Sequence, residues 1–422
     1  MIDGKLIRAG AVMAGLMAAA PAFADDAVHL DYWVYSDFAQ GEALKLQQSF
    51  IDGFTAEHPG LSITISGRGD DALLTGEIAG AASKTGPDVF MNSTALGATL
   101  VKAGALKNVY DDWMAMPESF RKQFNPELIK VCTPKPGTMY CLPYTGYASL
   151  LFRNLTVLEK AGIDPSEPIR NWDDWKAQMA KVKAAGMYAM PDMSQTWFGL
   201  ANMYSGAAGP DDWGIDFDAN KTLIKADKLA ATTQYMVDIK PYSTDASDDD
   251  QVTKDLFISD KLAFLPGGPW INPIFEKAAK ESGLKYDWVL IPGKETGKPA
   301  GVKGYELIGV APNAHADIAW QFAAYVAEKK QMARWAAALG RYNSNDEALA
   351  DPSVVSNPLL KSTVEAAKNA IFNRPPFFVK AYPADYFSVL LDDVAAIMDG
   401  DESPADGAAA AVEDLNADIA AN

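Results

Sequence analysis

The sequence predicts an α/β protein. Strand-like and helix-like stretches alternate from residue 28 onward, the strand-like ones run into polar loops, and 49% of the 422 residues are hydrophobic, enough for substantial cores. Val28 to Tyr35 (Val-His-Leu-Asp-Tyr-Trp-Val-Tyr) reads as the first strand. Gln40 to Glu57 follows with Leu46, Phe50 and Phe54 at four-residue spacing, which places them on one face of a helix. Pro59-Gly60 stops that helix. Leu61 to Ser66 and Asp88 to Met91 read as further strands, with the Ala-rich stretch Asp71 to Ala82 helical between them. The chain is long enough for two domains of ordinary size.

Ligands of open α/β sheets sit outside the carboxyl ends of the strands. The loops that leave these strands, Ser36-Asp37-Phe38, Gly67-Arg68-Gly69-Asp70 and Asn92-Ser93-Thr94, are therefore the first place to look for a site. Ser36, Asp37, Asp70, Asn92 and Ser93 are its candidate ligand-binding residues. Each of them also fits an ordinary polar loop.

The first 24 residues read as a secretory leader: Lys5 and Arg8 give a positive start, Ala9 to Ala20 is apolar, and Ala22-Phe23-Ala24 is a small-x-small cleavage site. The apolar run is shorter than the roughly 20 residues that cross a membrane. Cleavage after Ala24 leaves no cysteine nearby to accept a lipid. The only two cysteines, Cys132 and Cys141, flank the turn-rich stretch Thr-Pro-Lys-Pro-Gly-Thr-Met-Tyr, and in an oxidising compartment they are expected to form a disulfide. Closing so short a loop contributes about 2 to 3 kcal/mol. The formal net charge of −18, which becomes −19 once Asp3, Lys5 and Arg8 are removed, argues against nucleic acid and anionic membrane surfaces as partners.

From Tyr140 to Trp175 the chain resembles the extracellular solute-binding proteins of ABC sugar importers, the maltose-binding-like group. The matching positions are Tyr140 to Pro143, Asn154, Glu159 to Ile163 and Trp172 to Trp175. The chain departs at Phe152-Arg153, where the family usually has two tyrosines. Gly86-Pro87-Asp88-Val89, Ala103 to Leu106, Gly267-Gly268-Pro269-Trp270 and Gly304-Tyr305-Glu306-Leu307 extend the likeness over nearly the whole mature chain. The resemblance implies the periplasmic binding protein fold: two α/β lobes joined by a hinge that the chain crosses several times, closing around a ligand. Crossings are expected near Gly146, Val302 and Asn343. Residues 25–146 and 303–343 then form the N-terminal lobe, and 147–302 with 344–422 the C-terminal lobe. The implied function is capture of a sugar, oligosaccharide or glycoside in the periplasm, as a monomer that delivers it to inner-membrane ABC permease subunits. No cofactor and no catalysis are implied.

Sugars present hydroxyl edges and apolar C–H faces, so their sites combine aromatic platforms with paired hydrogen-bonding groups. Of the 10 Trp, 16 Tyr and 18 Phe, most belong to cores, and those beside turn signals stand out. Trp270 follows Gly267, Gly268 and Pro269, and the resemblance implies that it stacks on a sugar ring. Trp197, Tyr147 just past the first crossing, and Tyr305 complete the aromatic candidates, and Gly268 joins them as a candidate ligand-binding residue. Trp33, inside the first strand, reads as core. Arg341 occupies a loop that faces the cleft in related binders, where its fork suits vicinal hydroxyls or the carboxylate or sulfonate of an acidic sugar. Arg374 reads as one half of a surface ion pair.

Three histidines, His29, His58 and His315, assemble no recognisable catalytic arrangement, and no zinc-protease, P-loop or Rossmann motif appears. The run Asp245 to Asp250 lacks the glycine and distal Glu of a calcium loop, so it reads as a solvated acidic loop and helix start, with no metal expected. Two alternatives stay open: a periplasmic glycoside hydrolase or lyase, and a polyamine binder. The second is disfavoured by an arginine facing the cleft.

Overall fold

The computed structural model describes residues 27–372 and 386–421. The leader expected at 1–24 and Arg374 lie outside the described residues. Thirteen strands are described, in chain order β1 Val28–Tyr35, β2 Leu61–Arg68, β3 Val89–Ser93, β4 Leu142–Ala148, β5 Leu150–Asn154, β6 Met190–Asp192, β7 Ile215–Asp216, β8 Lys221–Thr222, β9 Ser243–Ser247, β10 Phe264–Gly267, β11 Tyr286–Val289, β12 Val302–Val310 and β13 Ile371–Phe372.

The first sheet runs β13-β12-β3-β1-β2, with β4 on the other side of β12. β1, β2 and β3 are mutually parallel, and β12 is antiparallel to both β3 and β4. Alternation in β1 explains its two faces. Leu30, Tyr32 and Val34 are buried and pack with Leu46, Phe50 and Phe54 of the helix Gly41–Ala56 and Phe322 of the helix Ala316–Ala327. Each such side chain contributes about 1.5 to 3 kcal/mol by leaving water. Trp33 points the other way and is only half-buried, with Gly76 of the helix Asp70–Ser83 against its ring and the Arg68 guanidinium 3.5 Å above the ring centre. Helices thus cover both faces of the sheet, as the alternating sequence requires.

Two strands run further than their residues suggest. β2 continues through Gly67 and Arg68 because the parallel register with β1 holds to the pair Tyr35↔Arg68. β3 includes Asn92 and Ser93 because Leu307 and Glu306 of β12 pair with them. Neither pairing is local, so the residues' own propensities understate it.

A second sheet, β10-β5-β11, is antiparallel throughout. It backs a separate cluster that includes Leu151, Trp175, Met179, Leu200, Tyr204, Phe264, Tyr386, Leu390 and Leu415. Arg153, one of the two positions where the sequence departs from the pattern it otherwise resembles, is the cross-strand neighbour of Asp287. The two form a bidentate pair, Nε to Oδ1 at 2.8 Å and Nη2 to Oδ2 at 2.5 Å, so a satisfied charge pair occupies that place.

Cys132 and Cys141 are disulfide-bonded, with Cα atoms 5.4 Å apart, and the Tyr140 amide donates to the Cys132 carbonyl at 3.0 Å. Two chain passages lie side by side between the sheets, and the Tyr342–Asn343 segment runs beside the first of them. At the β4–β5 junction the Ser149 hydroxyl donates to Asn202 Oδ1 at 2.5 Å and accepts from the Val302 amide at 2.8 Å. The Gly146 amide donates to the Tyr342 carbonyl at 2.8 Å, and Thr145 bridges Asn343. The short helices that follow residue 345 pack towards the first sheet. Asp346 bonds through its amide to the Gln123 carbonyl, and Asn357 donates to the Ala337 carbonyl. The last two helices, Tyr386–Asp399 and Pro404–Ala421, join the second cluster.

Candidate functional site

The topology gathers one set of strand ends. The carboxyl ends of β1, β2 and β3 (Tyr35, Arg68, Ser93) lie beside the Tyr305–Glu306 part of β12, because Glu306 pairs with Ser93. Across β12, Tyr147 of β4 is the partner of Gly304. β10 then brings Gly267 opposite Leu150 at the start of β5, so the Gly268-Pro269-Trp270 turn reaches the same junction. The three histidines lie at the other end: His29 opens β1, His58 precedes β2, and His315 contacts Asp88 at 3.1 Å just before β3.

Three aromatic rings meet at this junction. The half-buried Trp270 meets Tyr147 edge-on at 5.1 Å between ring centres and Phe198 at 5.6 Å. Gly268 and Gly304 leave the room these rings need. A Cβ on Gly268 would lie 1.8 Å from Trp270 Cζ3, and one on Gly304 would lie 2.6 Å from the Tyr147 hydroxyl. Trp197 sits one ring further out, 6.5 Å from Phe198 and 5.4 Å from Phe387. Its helix, Trp197–Ser205, begins at Thr196, which accepts from the Gly199 amide at 2.9 Å and donates to Asp248 at 2.5 Å. Tyr305 stands edge-on to Tyr342 at 5.2 Å, and the Tyr342 hydroxyl donates to the Tyr147 carbonyl at 2.8 Å.

Beside the rings is a charged group. Arg341 is 4% exposed. Its Nη2 donates to Asp37 Oδ2 at 2.6 Å and its Nη1 to Glu306 Oε1 at 3.3 Å. The guanidinium lies 4.3 Å from the centre of the Phe38 ring and 5.8 Å from that of Trp270. Glu306 is buried, and among the described residues its Oε2 has no hydrogen-bond partner. Burial pushes its carboxyl up to about 8 against the pull of Arg341, with Asp37 and Asp70 adding to the rise. A second buried carboxyl, Glu77, is pushed up to about 8 by burial, opposed by its bond from Asn92 and by Arg68.

Asn92 is turned inward. Its Nδ2 donates to Glu77 at 2.6 Å, and its Oδ1 accepts from the Tyr35 hydroxyl at 2.9 Å and the Ser93 amide at 2.7 Å. Ser93 caps the following turn through the Ala95 amide at 3.3 Å, Ser36 is exposed, and Asp70 opens its helix in an exposed position. The structure thus brings Asp37, Tyr147, Gly268, Trp270, Tyr305 and Arg341 together, leaves Trp197 at the margin, and spends Asn92 on internal bonds.

Residues not picked out from the sequence are Phe198, Glu306 and Glu77. Phe198 adjoins a candidate and Glu306 interrupts an apolar strand, which is the available signal for each. Nothing local marks Glu77. The acidic run also differs from a wholly solvated loop. Asp250 caps the helix Gln251–Ile258 through the Val252 amide at 3.0 Å, but Asp248 is buried, and that burial raises its carboxyl to about 7. Among the described residues no group of three or more His, Cys, Asp or Glu is placed to hold a metal ion, and no helix is long and apolar enough to cross a membrane.

Two α/β units tied by adjacent chain passages, with rings and an arginine at the junction, define a two-lobed binding protein. Residues 39–333 match the family described as bacterial extracellular solute-binding protein, and the chain belongs to it. Among curated relatives, the sn-glycerol-3-phosphate-binding periplasmic protein UgpB of Escherichia coli strain K12 is 29% identical over 151 residues, 35% of this chain and 34% of that protein. The Shigella flexneri protein of the same name is also 29% identical over that length. The match spans about a third of these relatives.

Solved structures share the fold. The GacH receptor of Streptomyces glaucescens, described with acarbose, has a TM-score of 0.79 at 20% identity, covering 93% of this chain and 98% of that one. A Thermotoga lettingae solute-binding protein bound with α-D-tagatose scores 0.76 at 20% identity, covering 93% and 99%. The Thermus thermophilus maltotriose-binding protein scores 0.75 at 16% identity, covering 92% and 98%.

Proposed function

We propose that this protein is the periplasmic ligand-capturing subunit of an ABC importer and that its ligand is a sugar, oligosaccharide or glycoside held where the lobes meet. The observation that carries this reading is the grouping of Trp270, Tyr147 and Phe198 beside Arg341 and Asp37. Planar rings cover C–H faces, and a fork of guanidinium and carboxylate suits paired hydroxyls. The sugars named for the structural neighbours support it. The ligand residues proposed are Ser36, Asp37, Asp70, Ser93, Tyr147, Trp197, Gly268, Trp270, Tyr305 and Arg341, joined by Phe198. Asn92 supports them from behind.

In this reading the protein makes and breaks no bond, works as a monomer, does not bind nucleic acid, and hands its cargo to inner-membrane permease subunits after export and cleavage behind Ala24. Hinge motion follows the expected crossings near 146 and 302. Residues 346–369 travel with the first lobe, to which their hydrogen bonds tie them, and the final crossing comes after them. Arg341 of the first lobe stands 5.8 Å from the centre of the Trp270 ring of the second, so a ligand held between them enters when the lobes part. Closure around it then needs contacts on both lobes.

The name of the partial relatives favours a second reading, glycerol phosphate as cargo. Titration of the protein with maltotriose, acarbose, tagatose and sn-glycerol 3-phosphate, followed by tryptophan emission, separates the two. Saturable binding of a sugar, lost in Trp270→Ala, supports the proposal. Binding of the phosphate ester alone refutes it.

A further inference from the structure

One guanidinium stands between two carboxyl groups. Arg341 bonds Asp37 and Glu306, and it can offset the charge of only one of them. The Asp37 side chain is 36% exposed, whereas Glu306 shows 7%. Water stabilises a charge on the first and not on the second. The groups that face Glu306 leave the balance unchanged: Arg341 attracts, Asp37 and Asp70 repel, and the Tyr35 and Tyr342 hydroxyls, which feel its charge, carry none of their own at neutral pH. Glu306 Oε2 makes no hydrogen bond among the described residues. With a proton on it, that oxygen is a donor awaiting an acceptor such as a ligand hydroxyl.

We propose that Glu306 is the specificity-determining residue of this site: it is held as a neutral acid, so Asp37 alone balances Arg341, and the site accepts uncharged polyhydroxylated ligands and turns away anionic ones. The proposal rests on the sugar-binding reading for its ligand and on the Asp37–Arg341–Glu306 geometry for its charge. Once Glu306 loses its proton in alkaline solution, the cluster becomes net negative and the donor disappears, so sugar affinity falls as pH rises above about 8.

The test has two arms. The first needs no ligand: unfolding of the wild type and Glu306→Gln is followed across pH 5 to 8. A carboxyl that keeps its proton only in the folded state makes the unfolding constant rise about tenfold per pH unit in that window. Glu306→Gln should lose that one-proton slope, and retention of the full wild-type slope overturns the protonation. The second arm uses sn-glycerol 3-phosphate at pH 7 with Asp37→Asn, whose folding is checked by circular dichroism. Asp37→Asn frees Arg341 and should bind the ester at least tenfold more tightly than the wild type. Equal binding by both proteins overturns the charge argument. If no sugar binds, the sugar reading fails by itself, and the pH arm still decides whether Glu306 holds its proton.

Discussion

Adding a single methyl group at Gly268 tests whether the position of the Trp270 ring matters. A Cβ there would stand 1.8 Å from Cζ3 and 2.3 Å from Cε3 and Cη2 of the indole. Carbon atoms rest about 3.5 to 4 Å apart, so the ring has to shift by roughly 2 Å or the turn has to distort. Tyr147 and Phe198 bound the ring, which leaves no easy way to relax. Overpacking of this kind costs about 1 to 3 kcal/mol. Gly268→Ala should therefore melt a few degrees below the wild type and emit with an altered tryptophan spectrum. It should also lose sugar affinity about as severely as Trp270→Ala, which removes the platform and is expected to cost about 2 kcal/mol or more, near thirtyfold. Thermal unfolding and fluorescence titration read these effects separately. A Gly268→Ala protein that melts lower yet binds sugar as the wild type does would refute the assignment of the ring to the site.

Other changes follow from the same geometry. Glu77, raised to about 8 by burial, holds a proton in the folded chain that the unfolded chain gives up above about 4.5. Its contribution is therefore complete in acid and is lost as pH rises to about 8, at up to about 1.4 kcal/mol per unit. Glu77→Gln should flatten the stability profile in that window, as urea titrations across pH would show. Replacing both Cys132 and Cys141 with Ser should cost about 2 to 3 kcal/mol of stability in denaturant melts while leaving ligand affinity unchanged. Asp287→Asn leaves the buried Arg153 guanidinium with weakened partners and should cost about 1.5 to 3 kcal/mol, measurable by the same melts. Trp197→Ala, one ring away from Trp270, should weaken sugar binding less than Trp270→Ala does in isothermal titration.

What could be read from the sequence was what depends on near neighbours. The four-residue spacing of Leu46, Phe50 and Phe54 marked a buried helical face, the turn residues before Trp270 marked an aromatic held at a junction, and two cysteines around a proline-glycine turn marked the disulfide. The charge pairing at the site was not legible, because Asp37 and Arg341 are 304 positions apart and Glu306 and Arg341 are 35 apart. Arg341 alone suggested a fork open either to vicinal hydroxyls or to an acidic sugar, and folding supplies two carboxyl groups that bear on that choice. The internal bonding of Asn92 was hidden for a related reason. A polar residue at a strand end satisfies the loop rule, but Glu77 and Tyr35 arrive from other elements to occupy its amide. Strand lengths were understated where a partner strand, not propensity, sets the end.

The most direct test of the central claim is a calorimetric titration of the wild type and Trp270→Ala with a panel of neutral mono- and oligosaccharides. The account predicts one-to-one saturable binding of at least one of them to the wild type, weakened about thirtyfold or more in the variant. A sugar that binds both proteins equally, or a panel from which none binds, would contradict it.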